Sequence, residues 1–227
     1  MYGHNTDIFT AGFLYGGGHI KSIDGNSFTF NGIGEYWLLK SLHHLLFIQV
    51  RFIPFGNTRL TVVSAIAIRH QSINIQVEAR NGEMKLYVSG RLQHLPTDHT
   101  VYVVTRNGVQ SLSGLTVANL DLSSMSYSMN KLFIRVYGSD TLFIIMPSGA
   151  SIRISLQIYF LYITVELSIQ FINYTSGLIG TFNGIASDDF SPHTTFGSTI
   201  SEEEIYYFGL SCEPDMYCVW HALLEVQ

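Results

Sequence analysis

The feature that most constrains this chain is apolar alternation with a period of two. In residues 72–80, Ile73, Ile75, Val77 and Ala79 interleave with Asn74, Gln76, Glu78 and Arg80. Successive side chains of a strand point to opposite faces, so such a run sets one face in a core and the other in water. Residues 60–68 alternate likewise through Val62, Ile66 and Ile68, and further strand-like runs fall at 85–88, 100–105, 131–137 and 141–146.

The most apolar stretch, residues 152–172, is long enough to span a bilayer as a helix, and a membrane-spanning protein is one alternative reading of it. Yet it carries Arg153, Gln157, Glu166 and Gln170, and it too has a period of two. Ile152, Ile154, Leu156, Ile158 and Phe160 occupy one phase, and Ile163, Val165, Leu167, Ile169 and Phe171 the other. The slip near Leu161 predicts a bulge or a tight turn joining two strands.

Asp24-Gly25, Asn31-Gly32, Asn81-Gly82, Asn107-Gly108 and Asn183-Gly184 supply residue pairs that tolerate the positive φ of hairpin turns. Short strands punctuated this way predict an all-β fold, an antiparallel β-sandwich. One short C-terminal helix is expected: Ser201 followed by Glu202, Glu203 and Glu204 forms a capping box, and Gly209 is placed to end it. The expected plan is a lead-in over residues 1–15, one β domain over 16–210, and a weakly patterned tail over 211–227.

Hydrophobic residues make up 47% of the chain and charged residues 13%, enough for a core and too little charge for a disordered tail. A net charge of -5 with 12 basic residues argues against nucleic acid as a partner. Cys212 and Cys218 are too few for a disulfide-rich scaffold; a pair with each other, a pair with a partner outside the chain, and no pair all remain open. The first ten residues include His4, Asn5 and Asp7 and lack an apolar segment behind a basic start, so an extracellular protein would carry this chain as an interior fragment, or the sequence is a truncated gene model.

The segment Gly16-Gly17-Gly18-His19-Ile20-Lys21-Ser22-Ile23-Asp24-Gly25, followed by Phe28-Thr29-Phe30-Asn31-Gly32 and Glu35-Tyr36-Trp37, resembles the opening of a von Willebrand factor type D domain. In that family the opening reads Gly-Asp-Pro-His, then Leu-Asp-Gly, then Tyr-Thr-Phe-Asn-Gly. Gly177-Leu178-Ile179-Gly180-Thr181-Phe182-Asn183-Gly184, closing on Asp188-Asp189, is similar to the family's second signature. The segment from Ser201 to Gly209 is similar to the region after that signature in the cysteine-poor subtype of transmembrane mucins and sushi-domain surface proteins. The resemblance implies a non-catalytic structural or adhesion module of a larger secreted or membrane-anchored glycoprotein, acting through protein contacts with partners that include other domains of its parent. Phe28, Phe30, Tyr36, Trp37 and the 177–182 segment are expected to hold the fold.

Several residues invite chemistry. The loop 183–189 offers oxygens from Asn183, the Ile185 carbonyl, Asp188 and Asp189, and a hard cation such as Ca²⁺ wants a cage of about six to eight oxygens. The resemblance implies calcium in this loop, although Gly17 stands where the family has an acidic ligand and Thr181 where it usually has Asn. Gly17-Gly18 also replaces the acid-labile Asp-Pro pair at which some mucins cleave themselves, so no such cleavage is expected. Asn173-Tyr174-Thr175 is an acceptor sequence for N-linked glycan.

His43-His44 and the pair His94 and His99 match no metal or catalytic spacing, and Gly16-Gly17-Gly18 lacks the Lys and helix of a phosphate loop. No catalytic residue and no small-molecule substrate are assigned. A carbohydrate-binding or hydrolytic sandwich is the alternative, and aromatics flanked by acids in a groove would favour it.

Overall fold

The computed structural model describes residues 9–58, 60–95, 100–113 and 121–189. The helix expected at Ser201–Gly209 and the cysteines Cys212 and Cys218 lie outside the described residues.

The expected antiparallel β fold is present as two sheets. One is β4 (Gly34–Ser41), β5 (Leu46–Pro54), β6 (Thr61–His70), β7 (Ile73–Arg80), β8 (Glu83–Val88) and β9 (Arg91–Gln93), six strands joined in sequence order as a meander. The other has nine strands. Its members are β1 (Phe9–Tyr15), β2 (His19–Lys21), β3 (Ser27–Thr29), β10 (Thr100–Thr105), β11 (Gly108–Ser113), β12 (Leu132–Tyr137), β13 (Thr141–Ile145), β14 (Ala150–Gln157) and β15 (Phe160–Ser168), in the order β11-β10-β12-β13-β14-β15-β1-β2-β3. Their inner faces share one apolar core, in which Ile20 and Leu14 of one sheet lie with Ile48, Ile66 and Val77 of the other.

The alternation places the strands well. In β7, Ile75 and Val77 are buried while Asn74 and Gln76 are half-buried and Arg80 is exposed. Residues 152–172 form the β14–β15 hairpin and a 3₁₀ turn at Ile169–Phe171, with Ile158 at a positive φ of 57° in the tight turn. No helix among the described residues is long and apolar enough to cross a membrane.

Of the stretch read as a lead-in, residues 9–15 are β1, which pairs with β15 on one side and β2 on the other. Without it β2 and β3 would have no sheet to join. A helix that the pattern did not announce, α1 (Leu122–Met129), covers the outer face of the large sheet at its β10 end, with Leu122 packed against Val101 and Phe133. Asp121 caps it, its Oδ1 accepting from the Ser123 amide at 3.2 Å.

Phe30 and Tyr36 of the opening segment anchor the core. Phe30, Tyr36 and Phe52 are fully buried and meet edge to face at centroid distances of 4.7, 5.2 and 5.8 Å, and the Tyr36 hydroxyl donates to the Ile33 carbonyl at 2.9 Å. Each such pair is worth about 0.5–1.5 kcal/mol beyond burial. Phe28 is half-buried, and Trp37 faces away from the shared core onto Phe47, 6.2 Å between centroids.

Candidate functional site

Two segments about 160 positions apart meet at one end of the sandwich. Ser22–Asn26 is a tight turn after β2: the Ser22 amide donates to the Asn26 carbonyl at 2.8 Å, and the Asn26 amide to Ser22 Oγ at 2.8 Å. Gly25 supplies the positive φ of 99° that this turn needs. The 177–189 segment lies against it, with the Ile23 amide donating to the Ile179 carbonyl at 3.0 Å.

The same segment is held to β4. The Leu178 and Ile179 amides donate to the Trp37 and Leu38 carbonyls at 3.0 and 3.1 Å. A Cβ at Gly177, which has φ of 120°, would sit 2.7 Å from the Leu38 carbonyl oxygen, so this close approach requires glycine.

Asp24 and Asp189 are the charged centres of the junction. Asp24 Oδ2 accepts from three successive backbone amides, Asn183 at 2.8 Å, Gly184 at 2.7 Å and Ile185 at 3.2 Å. Asp189 is buried at 6% exposure; one carboxylate oxygen accepts from the Ser22 hydroxyl and the other from the Thr181 amide at 3.0 Å. Burial raises the Asp189 pKa above the usual carboxylate value, with the nearby Asp24 and Asp188 pushing the same way and the Ser22 and Thr181 hydrogen bonds opposing it.

The oxygens nominated for calcium are thus in one loop, but each is engaged by the protein. Asn183 Oδ1 accepts from the Ile185 amide at 2.8 Å, Asn183 Nδ2 donates to Asp188 at 2.7 Å, and the Ile185 carbonyl accepts from the Asp188 amide at 3.3 Å. Asp24, which the sequence reading treated only as a turn residue, is the acceptor that organises the loop. Among the described residues no three His, Cys, Asp or Glu side chains converge in a metal-holding group. This donor set fits a hydrogen-bonded clasp better than the oxygen cage of a hard cation.

Asn173 is exposed at φ of 65°, and its amide donates to the Phe182 carbonyl at 2.7 Å. Thr175, the third residue of that acceptor sequence, is buried and takes the Phe182 amide at 2.7 Å on its hydroxyl. His43 and His44, in the β4–β5 turn, pack on the same corner. His43 stacks on Tyr174 at 4.3 Å, and His44 lies 4.0 Å from Phe171 and bonds the Gln170 carbonyl at 2.8 Å. Beneath them His70 is buried at 2% exposure with no partner for Nε2 among the described residues.

A large antiparallel sandwich closed by a clasp between distant turns is a scaffold that displays loops and sheet faces. Comparison with known proteins finds one family match. Residues 93–193 match the von Willebrand factor type D domain family, a stretch that includes the second of the two signature segments.

Alignments to relatives reach further than that match. The chain is 29% identical over 205 residues to human sushi domain-containing protein 2, covering 86% of this chain and 22% of that protein. It is 24% identical over 214 residues to mouse mucin-4, covering 92% of this chain and 6% of the mucin, and 28% identical over 197 residues to protein mesh of Bombyx mori, covering 82% and 11%. The chain therefore spans less than a quarter of the length of these relatives.

Proposed function

We propose that this chain is a non-catalytic structural or adhesion module of a larger extracellular or cell-surface glycoprotein, working through protein contacts that include other domains of its parent. The observation that carries the reading is the type D match over residues 93–193, together with the Asp24 and Asp189 clasp that joins the two signature segments. Relatives described as mucins and as a sushi-domain protein support the setting. The clasp spends its carboxylates on backbone amides and a hydroxyl, which suits a device for fixing loops. The reading does not require calcium.

The carbohydrate-binding and hydrolytic alternative called for aromatics flanked by acids in a groove. On the outer face of the large sheet Phe13 and Phe143 are instead flanked by cations, Lys21 and Arg153.

Expressed behind a secretion signal, the chain is expected to emerge folded with glycan on Asn173. Displayed on beads, it should hold cell-surface or matrix proteins above beads carrying the heat-unfolded chain. Retention no greater than that control, or turnover of ester, amide or glycoside substrates by the purified chain, would replace the reading.

A further inference from the structure

The outer face of the nine-stranded sheet carries a line of cations set on aromatic rings. Register places Lys21 beside Phe13, Phe13 beside Thr164, Thr164 beside Arg153, Arg153 beside Phe143 and Phe143 beside Arg135, one residue from each of β2, β1, β15, β14, β13 and β12. Lys21 Nζ lies 6.0 Å from the Phe13 centroid, the Arg153 guanidinium 5.4 Å from Phe143, and the Arg135 guanidinium 5.8 Å from Tyr137. Lys21 and Arg153 are exposed, and neither pairs with a carboxylate among the described residues. The line ends where Val101, the register partner of Arg135 in β10, is buried beneath α1.

Charge sets this face apart. The chain carries -5 overall, yet these strands present three cations in a row and, on the neighbouring row, the carboxylate of Glu166, which accepts from the Ser151 hydroxyl at 2.8 Å. We propose that this face docks an acidic polypeptide segment, so the inference rests on the protein-contact reading and names the chemistry of a partner.

Three features favour a peptide. Arginine and aromatic residues are enriched where proteins meet. The Arg153 guanidinium over the Phe143 ring keeps its fork of N–H groups for a carboxylate, and little reorganisation is needed to form a bidentate pair, whereas Arg135 Nη1 already donates to the Tyr137 hydroxyl at 3.0 Å. The rings along the line have their faces next to cations, which leaves little open aromatic surface for a sugar to stack on. Strand spacing puts Lys21 and Arg135 about 24 Å apart, a span that about seven residues of extended chain would cover.

The test uses the full chain and a short fluorescein-labelled peptide alternating Glu with Ser, followed by fluorescence anisotropy. A Gln-for-Glu peptide and a sulfated oligosaccharide serve as comparison probes. The acidic peptide is expected to bind, to weaken as salt rises, and to bind about tenfold or more weakly to the Lys21→Gln/Arg153→Gln double variant. Arg69→Gln, which removes a cation set over Phe47 on the other sheet, should leave binding unchanged. Both altered cations of the double variant are exposed, and an unchanged unfolding midpoint checks that the fold persists.

Equal binding by wild type and double variant, a preference for the oligosaccharide, or no binding of the acidic peptide would overturn the proposal. On beads, a double variant that still retains partners as the wild type does would remove this face while leaving the module reading intact. Loss of all retention by the wild-type chain would remove the module reading itself.

Discussion

Acid should destabilise the fold through one histidine. His70 ends β6 on the inner face of its sheet, beside Leu46 and Ile73 in register, at 2% exposure. Burial, helped by the nearby His44, lowers its pKa from 6.5 to about 4. An unfolded chain takes up a proton there as pH falls through about 6.5, whereas the folded chain keeps the ring neutral until about 4, so acidification favours unfolding across that window. At about pH 7.5 the effect is near zero; at about pH 5 the two proton affinities differ enough to cost about 2 kcal/mol.

Urea unfolding at these two pH values, for wild type and for His70→Leu, measures it. Leu removes the titration and suits the apolar surroundings. Asp189 works in the opposite sense, since its raised pKa makes the folded state gain relative stability as pH falls through the carboxylate range. Both proteins contain Asp189, so the wild type should lose about 2 kcal/mol more than the variant between the two conditions. Equal losses would show that His70 is not held neutral by burial, and the argument would fail.

The clasp and the opening turn give three further expected outcomes. Asp24→Ala leaves three amides without their carboxylate and should cost about 2–3 kcal/mol in urea unfolding, with Asp24→Asn milder by about half because an acceptor oxygen remains; an unchanged midpoint for the Ala variant would refute the clasp. Gly18 has φ of +76° and a Cβ there would lie 2.0 Å from the Phe30 carbonyl oxygen, so Gly18→Ala should cost about 3 kcal/mol or more, and proline, with φ fixed near −65°, should fare worse. A thermal midpoint within a degree or so of wild type would contradict this. Millimolar Ca²⁺ should give no saturable heat in titration calorimetry, whereas a saturable signal abolished by Asp189→Asn would show that the clasp opens to take a cation.

Much of the fold was legible because burial on one side of a strand writes itself into the chain as a two-residue period. Residues 100–105 were read with the same bounds as β10, and residues 131–137 and 141–146 lie within one residue of β12 and β13. β1 escapes the pattern because Gly12 interrupts its apolar phase, and α1 because six of its eight residues are Ser or Met, with only Asp121 as a start signal. The loop carboxylates Asp188 and Asp189 were also visible as candidates. Their partners were not, since a hydrogen bond from Ser22 across 167 positions leaves no local pattern.

The sequence by itself determined which faces of the strands are apolar, where the turns fall and which family's motifs the chain resembles, because propensity, periodicity and turn chemistry act over a few residues. Only the tertiary structure decided that Asp24 would hold the amides of residues 183–185, that Gly177 would press against Leu38, and that Lys21, Arg153 and Arg135 would line up across six strands. Those arrangements depend on strand order and register, which are set by packing the whole core and not by any single segment.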